Sequence, residues 1–310
     1  MIKVTLRQLE YFVAAARHGS TVKAAHALNV SQPSISHAIG ELEALWDEKL
    51  FYRLHAQGME LSASGKLRYK QAQNVLQEVQ NLDVGTAGGI NGELSVGCFS
   101  TLGPMYFPDI MRRFHMAHPQ VHMIMHEGNT EELLSRIERG TLDLALIYDM
   151  GLARAVRLHY MNEQAPYILL PEGHPLTRHD TLTVKDLSKD PFILINLPHS
   201  REYFLSIFSF AGVTPQIAME TGSLEMVRSL VANGYGLSIL TTRPAKDYSY
   251  DGKRIVCRPL TGAFPPQKIA FASSAELKLS AAAWAFLHIA QTQFADNKAH
   301  QARIGEPVKR

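Results

Sequence analysis

The chain has 310 residues, a formal net charge of +2 and 46% hydrophobic residues. That length exceeds one small core and predicts two or three domains, while the near-neutral charge neither demands nor excludes a polyanionic partner. No stretch approaches the ~18 apolar residues that cross a bilayer. The segment Met1 to Arg7 holds no apolar core before a small-residue cleavage site, so a cytoplasmic protein without a membrane partner is expected.

Residues 1–60 read as compact and helical. Leu6, Leu9, Phe12, Val13 and Ala16 recur at helical spacing. Gly19 can end that helix, and Ser20 or Thr21 can cap the next, whose inner face is Ala24, Ala25 and Leu28. Asn29 tolerates a left-handed turn, Ser31 is a good N-cap, and Pro33 falls in a first turn where its missing N–H costs little. The third helix turns Ile35, Ile39, Leu42 and Leu45 inward and Gln32, Ser34, Ser36 and His37 outward. Two short helices joined by a tight turn make a helix-turn-helix, and outward polar side chains on the second suit base edges and phosphates in a major groove. Leu50 to Leu54 and Met59 to Leu61 read as strands, and the loop His55 to Gly58 between them as a wing. The expected DNA-contacting set is Ser20, Thr21, Ser31, Gln32, Pro33, Ser34, Ser36, His37, Arg53 and His55.

Ser62 to Asp83 continues as a long helix whose sparse apolar stripe (Leu67, Val75, Leu76, Val79, Leu82) fits pairing with a copy of itself better than lying on its own domain. Gly85 to Gly92 reads as a hinge. Alternating strands and helices follow: strands at Glu93–Cys98, Val121–Glu127 and Leu142–Tyr148 form one βαβαβ unit. Strands near Tyr167–Leu170, Phe192–Asn196, Gln216–Glu220 and Gly236–Leu240 form a second unit of the same kind, giving two lobes with a cleft. Lys268–Ala272 returns to the first lobe, Ser274–Phe294 is an Ala-rich helix, and a polar, disordered tail from Asp296 to Arg310 is expected. The expected boundaries are 1–61 for the winged head, 62–91 for the linker helix and hinge, and 92–310 for the remainder. Within it, lobe I takes 92–162 and 268–295, lobe II takes 163–267, and the tail takes 296–310.

The head resembles the LysR-type regulator family through Leu6 to Phe12, Ser20 to Ala25, Leu28 to Ser36, Leu42-Glu43, Leu50 to Arg53 and Leu61 to Gly65. More weakly, Gly140 to Leu146, His174-Pro175-Leu176 and Val231 to Leu237 extend the resemblance over nearly the whole chain. It implies an α/β protein with an all-α-dominated winged helix-turn-helix head. The effector domain it implies is two-lobed and Rossmann-like, of the type II periplasmic-binding-protein kind. It also implies promoter DNA, RNA polymerase and a homodimer or homotetramer as partners, a small effector between the lobes, and no cofactor. The chain departs from the family pattern in two ways. Across residues 1–60, Lys3, Arg7, Arg17, Lys23, Lys49 and Arg53 are balanced by Glu10, Glu41, Glu43, Asp47, Glu48 and Glu60, so the electrostatic share of DNA affinity is modest per subunit. Trp46 stands where the family has a leucine-glycine type of turn.

In open α/β sheets, ligands sit beyond the carboxyl ends of strands. Here those positions are Ser100, Thr101, Asn129, Tyr148, Pro198, His199, Ser200, Arg201, Thr221 and Gly222. Several carry hydroxyls at helix starts, where backbone N–H groups favour an anion, and His199 and Arg201 add positive charge; a small carboxylate is the expected effector. The competing reading of Ser100, Thr130, Ser200 and Ser223 is plain helix capping.

His115, His118, His122 and His126 are dense but split between a helix end and a strand, so no metal site is expected. Cys98 and Cys257, the only cysteines, read as small buried hydrophobes in a reducing compartment, with Cys98 at the mouth of the cleft. There is no Gly-x-Ser-x-Gly elbow, phosphate loop or His-Glu-x-x-His motif, so an enzyme is not expected. A secreted solute-binding protein would share the lobes but lack the head, and a ligand-free DNA-binding protein would not use the lobes.

Overall fold

The computed structural model describes residues 3–54, 58–83, 89–151 and 155–304. The head opens with α1 (Leu6–His18), closed at its start by a capping box between Thr5 and Gln8 and at its end by Gly19 in the left-handed region, φ 59°. Ser20 caps α2 (Thr21–Ala27), and Ser31 caps α3 (Gln32–Trp46), with Asn29 at φ 52° making the turn between them. An antiparallel pair, β1 (Phe51–Leu54) and β2 (Gly58–Leu61), forms the wing, with Phe51 opposite Leu61. Leu9, Phe12, Val13, Ile35, Ile39, Leu42 and Leu50 fill the core. Leu28 and Leu45, expected to face inward, are exposed, because the short helices turn them past the edge of this small core.

The turn after α3 is made by Asp47 in the left-handed region, φ 52°, whose N–H bonds the Glu43 carbonyl. Trp46 lies edge-on to Phe12, and the Arg68 guanidinium sits 4.8 Å above its ring while binding Glu48 through both Nε (2.9 Å) and Nη2 (3.2 Å). Arg68 belongs to α4 (Ala63–Asp83), so the tryptophan that departs from the family pattern is held between the head core and the linker helix. The first half of α4 lies on its own head, with Tyr69 and Ala72 buried against it, while Leu67 and Val75 stay exposed.

Lobe I is a five-stranded sheet in the order β4-β3-β5-β12-β6. Its members are β3 (Gly92–Phe99), β4 (Val121–Gly128), β5 (Leu144–Asp149), β6 (Val156–Gln164) and β12 (Gln267–Ser274), flanked by α5 (Gly103–Ala117), α6 (Thr130–Glu138) and α9 (Ala281–Ile304). β3 runs parallel to β4 and β5, and β12 runs antiparallel to β5 and β6. Lobe II holds β7 (Tyr167–Pro171), β8 (Pro191–Ile195), α7 (Ser200–Phe210), β9 (Gln216–Thr221), α8 (Leu224–Ala232), β10 (Ser238–Leu240) and β11 (Ile255–Pro259). Here β8 and β9 are parallel, β10 and β11 flank β7 antiparallel, and a bridge from Phe192 to Leu237 joins the two sets.

Three expectations are corrected. Lobe II is mixed rather than a second parallel unit, because β7 pairs with two strands that return from later in the chain. The strands β6 and β11 were not foreseen. The last helix starts at Ala281, not Ser274, because the Ser274 hydroxyl accepts from the N–H groups of Glu276 and Leu277 and holds a turn; the Ser280 hydroxyl then caps through Ala283. That helix runs on to Ile304 through the expected polar tail, a segment rich in the helix formers Ala, Gln, Lys and Arg.

Candidate DNA-reading face and effector cleft

The start of α3 is a small polar lattice. The Ser31 hydroxyl accepts from the Ser34 N–H (3.3 Å) and lies 2.7 Å from the Ser34 hydroxyl. The Gln32 amide donates to the Thr21 hydroxyl (3.2 Å) on α2 and to the Ser36 hydroxyl (2.7 Å) on its own helix. The result is that the two helices present one hydrogen-bonded edge. Ser31, Pro33, Ser34 and His37 are exposed, and the His37 ring lies 3.2 Å from the Glu41 carboxylate. Ser20 is taken up in capping α2. Arg53 lies on β1, but its side chain and all of His55 fall outside the described residues.

The cleft gathers three of the expected effector residues: Thr101 after β3, Tyr148 in β5 and Ser200 at the start of α7. All three are buried. Thr241, Thr242 and Gln267 complete the polar lining, against Phe99, Leu197, Phe204 and Leu224. Thr241 donates to the Gln267 side-chain oxygen (2.5 Å), and the Tyr148 and Thr242 hydroxyls are hydrogen-bonded, so lobe I and lobe II are tied directly together. Burial pushes the Tyr148 phenol up, against the hydroxyls of Thr242, Thr241 and Thr101. The enclosed space is only 20 Å³, about one water.

The other expected residues lie elsewhere. Ser100 is half-buried outside the lining. Asn129 caps α6 through the Glu132 N–H (2.9 Å) and borders a separate surface hollow. Pro198 and Gly222 are exposed. His199 sits at φ 65° without a side-chain cap bond. Thr221 accepts from the Ser223 N–H, and Arg201 is committed to Glu220 (3.0 Å). The positive charge expected from Arg201 is thus spent on a carboxylate of β9. Thr241 could have been found, since it directly follows β10, another strand end; Gln267, which opens an antiparallel strand, carried no such signal.

Cys98 lies under the first turn of α5 rather than in the cleft lining, and Cys257 lies in the core of lobe II. Burial, with help from Glu127, pushes the Cys98 thiol up to about 11; burial, with help from Asp247, pushes Cys257 up to about 12. At neutral pH both thiols are protonated and poorly nucleophilic. The native protein is therefore expected to resist iodoacetamide at pH 7 over hours while the urea-unfolded chain takes up two equivalents; rapid labelling of native protein at either thiol would contradict this placement. Among the described residues, no group of three or more His, Cys, Asp or Glu could hold a metal, and no helix is long and apolar enough to cross a membrane.

A winged helix-turn-helix joined to a two-lobed domain with a polar cleft defines a ligand-responsive DNA-binding regulator. The chain belongs to the LysR family of transcriptional regulators: residues 6–66 match the bacterial regulatory helix-turn-helix protein of the lysR family, and residues 87–295 match the LysR substrate binding domain. It is 34% identical to HinK, a LysR family transcriptional regulator from Pseudomonas aeruginosa, over 94% of this chain and 99% of that one, with a TM-score of 0.64. A full-length OxyR from Pseudomonas aeruginosa shares 26% identity over 94% and 96%, with a TM-score of 0.75. The DNA-binding transcriptional dual regulator OxyR of Escherichia coli is 28% identical over 241 residues, 76% of this chain and 79% of that protein.

Proposed function

We propose that this regulator reads its promoter through the start of α3 and the wing, and that it takes a small organic acid between its lobes. The observation that carries the effector half is the convergence of Thr101, Tyr148, Ser200, Thr241 and Thr242 on one cleft. Their hydroxyls can donate to a carboxylate, and the positive end of the α7 dipole lies at Ser200. No Lys or Arg lines the cleft among the described residues, which favours a single carboxylate on a small, partly apolar body over a polyanion. The lobes already touch, so a ligand must part them and replace the Tyr148–Thr242 and Thr241–Gln267 bonds with its own. That difference in bonding is what lets it shift the equilibrium between two arrangements of the domain.

A homodimer or homotetramer fits two exposed apolar faces. One is a groove of 530 Å³ bordered by Leu6, Leu9, Trp46 and Val75, where a second α4 can lie. The other is the edge of β9, with Ile217 and Met219 exposed, as is Phe210 at the end of α7. Paired heads would take half-sites one or more helical turns apart, restoring by multivalency the affinity that a neutral head lacks, and the bound oligomer would act on RNA polymerase. Peroxide sensing through thiols, the role suggested by the name hydrogen peroxide-inducible genes activator carried by a relative in Dickeya chrysanthemi, does not suit two buried, protonated cysteines.

The test is a gel-shift titration against the DNA upstream of the chain's own gene, with unrelated DNA as control, salt varied and a panel of small carboxylates added. Selective retardation that weakens with salt is expected, together with a carboxylate response that Ser200→Ala loses while keeping promoter binding. Equal affinity for both DNAs at every salt, or a Ser200→Ala protein that responds like the native one, would overturn the respective half.

A further inference from the structure

The head and lobe I meet along a polar seam. On the head side, Arg17 at the end of α1 pairs with Glu93 at the start of β3, and Lys70 on α4 pairs with Glu276. Gln73 donates to the Gly140 carbonyl (2.7 Å), which also accepts from the Tyr69 hydroxyl (3.3 Å). Gly140 is left-handed at φ 67° and closes α6, with the Thr141 N–H on the Arg136 carbonyl (2.9 Å), and a Cβ there would meet the tip of the Gln73 side chain at 2.3 Å, which would have to shift. The half-buried Asp143 carboxylate accepts from the Ser95 N–H (2.7 Å) while the Asp143 N–H donates to the Ser95 carbonyl (2.8 Å), stitching the head end of β3 to that of β5. Burial acts to lower Arg17, yet Tyr69, Glu93 and Asp143 together hold it above its ordinary value.

Two features make the seam separable. It encloses 350 Å³ between Val13, Leu28 and Leu76 of the head and Leu277 and Leu279 of the lobe. Gln73 Oε1 is also buried there without a hydrogen-bond partner among the described residues. The contact does not cover the DNA-reading edge, since Ser31, Ser34 and His37 stay exposed. The seam therefore leaves that edge open to solvent. Glu93 lies on β3 and Asp143 immediately precedes β5, the two strands whose far ends deliver Phe99, Thr101 and Tyr148 to the cleft, roughly 20 Å away at ~3.3 Å per residue.

We propose that this seam is a latch fixing the orientation of the DNA-binding head on its own effector lobe, with Arg17 as its positioning residue, and that rearrangement of the cleft reaches it along β3 and β5. The DNA readout of the test rests on the promoter reading above; the distance readout does not. Spin labels on Ala44→Cys and Gln120→Cys, both exposed and with both native thiols buried, report the head-to-lobe distance in the full chain, diluted with unlabelled protein. Arg17→Glu and Glu93→Arg should each broaden and shift that distance, and the double exchange should restore it. Tyr148→Phe, at the cleft end of β5, should shift it too.

On upstream DNA, each single exchange should weaken selective binding roughly threefold, the worth of one half-exposed ion pair. Because the two change net charge in opposite senses, a simple charge effect on DNA would move them in opposite directions. If either single exchange does not fold, Arg17→Gln and Glu93→Gln should shift the distance in the same direction. Distances unmoved in the single variants, or unrestored in the double, overturn the latch; a distance unmoved by Tyr148→Phe overturns its link to the cleft. Distances that follow the exchange in a protein with no preference for its upstream DNA would leave the latch standing and remove the promoter reading.

Discussion

Replacing Gly65 with alanine should cost the head about 3 kcal/mol, although alanine is the better helix former by ~1 kcal/mol. The cause is backbone against backbone. The Ser62 hydroxyl and the Ser64 hydroxyl both donate to the Lys49 carbonyl, the Ser62 N–H donates to the Leu50 carbonyl (2.9 Å), and the Gly65 N–H is capped by the Ser62 hydroxyl (2.9 Å). These bonds lay the first turn of α4 flat on the Lys49–Leu50 peptide. A Cβ on Gly65 would sit 2.1 Å from the Leu50 oxygen and 2.9 Å from its carbonyl carbon, atoms that cannot rotate away. Relief requires α4 to lift from the head, loosening Tyr69 and Ala72 and the Arg68 clamp over Trp46. Gly40, on the exposed side of α3, has nothing within 4 Å of the same position, so Gly40→Ala should stabilise by up to ~1 kcal/mol. Urea melts followed by Trp46 fluorescence in a Trp284→Phe background, which leaves Trp46 as the one tryptophan, should separate the two in opposite directions; destabilisation of similar size in both would mean that the loss comes from something other than the Leu50 contact.

The head was legible because its signals are local. Ser20 and Ser31 as caps, Asn29 as the left-handed turn and the inward run of Ile35, Ile39 and Leu42 depend on residues within a few positions of each other. The Trp46 turn was not legible, because Asp47 supplies the left-handed residue and Arg68, twenty-one residues beyond Asp47, supplies the clamp. In the effector domain the strand-end rule found Thr101, Tyr148 and Ser200, which do share the cleft. It could not separate them from Asn129 or Arg201, because whether a strand-end side chain faces a cleft or a neighbouring carboxylate is decided by a partner far away in the chain, here Glu220 for Arg201. Antiparallel β6, β11 and the position of Gln267 came from the same kind of long-range pairing.

A neutral head places more weight on base reading, and that makes Gln32 the residue whose loss should be felt most on DNA. Its amide already donates to Thr21 and to Ser36, so its orientation is fixed before DNA arrives and little side-chain freedom is lost on binding. With both amide hydrogens so engaged, the Gln32 side-chain oxygen is left to accept from a base-edge amino group such as adenine N6–H, one neutral hydrogen bond worth about 0.5–1.5 kcal/mol. Gln32→Ala should therefore weaken selective binding about 2- to 12-fold. It removes no charge, so binding to unrelated DNA and the slope of affinity against salt should be unchanged. Ser36→Ala removes only one of the two groups that steady the amide and should weaken selective binding less. Titrations of all three proteins against upstream and unrelated DNA at several salt concentrations make the comparison; equal losses on both DNAs for Gln32→Ala would mean that the amide ties α2 to α3 without reading bases.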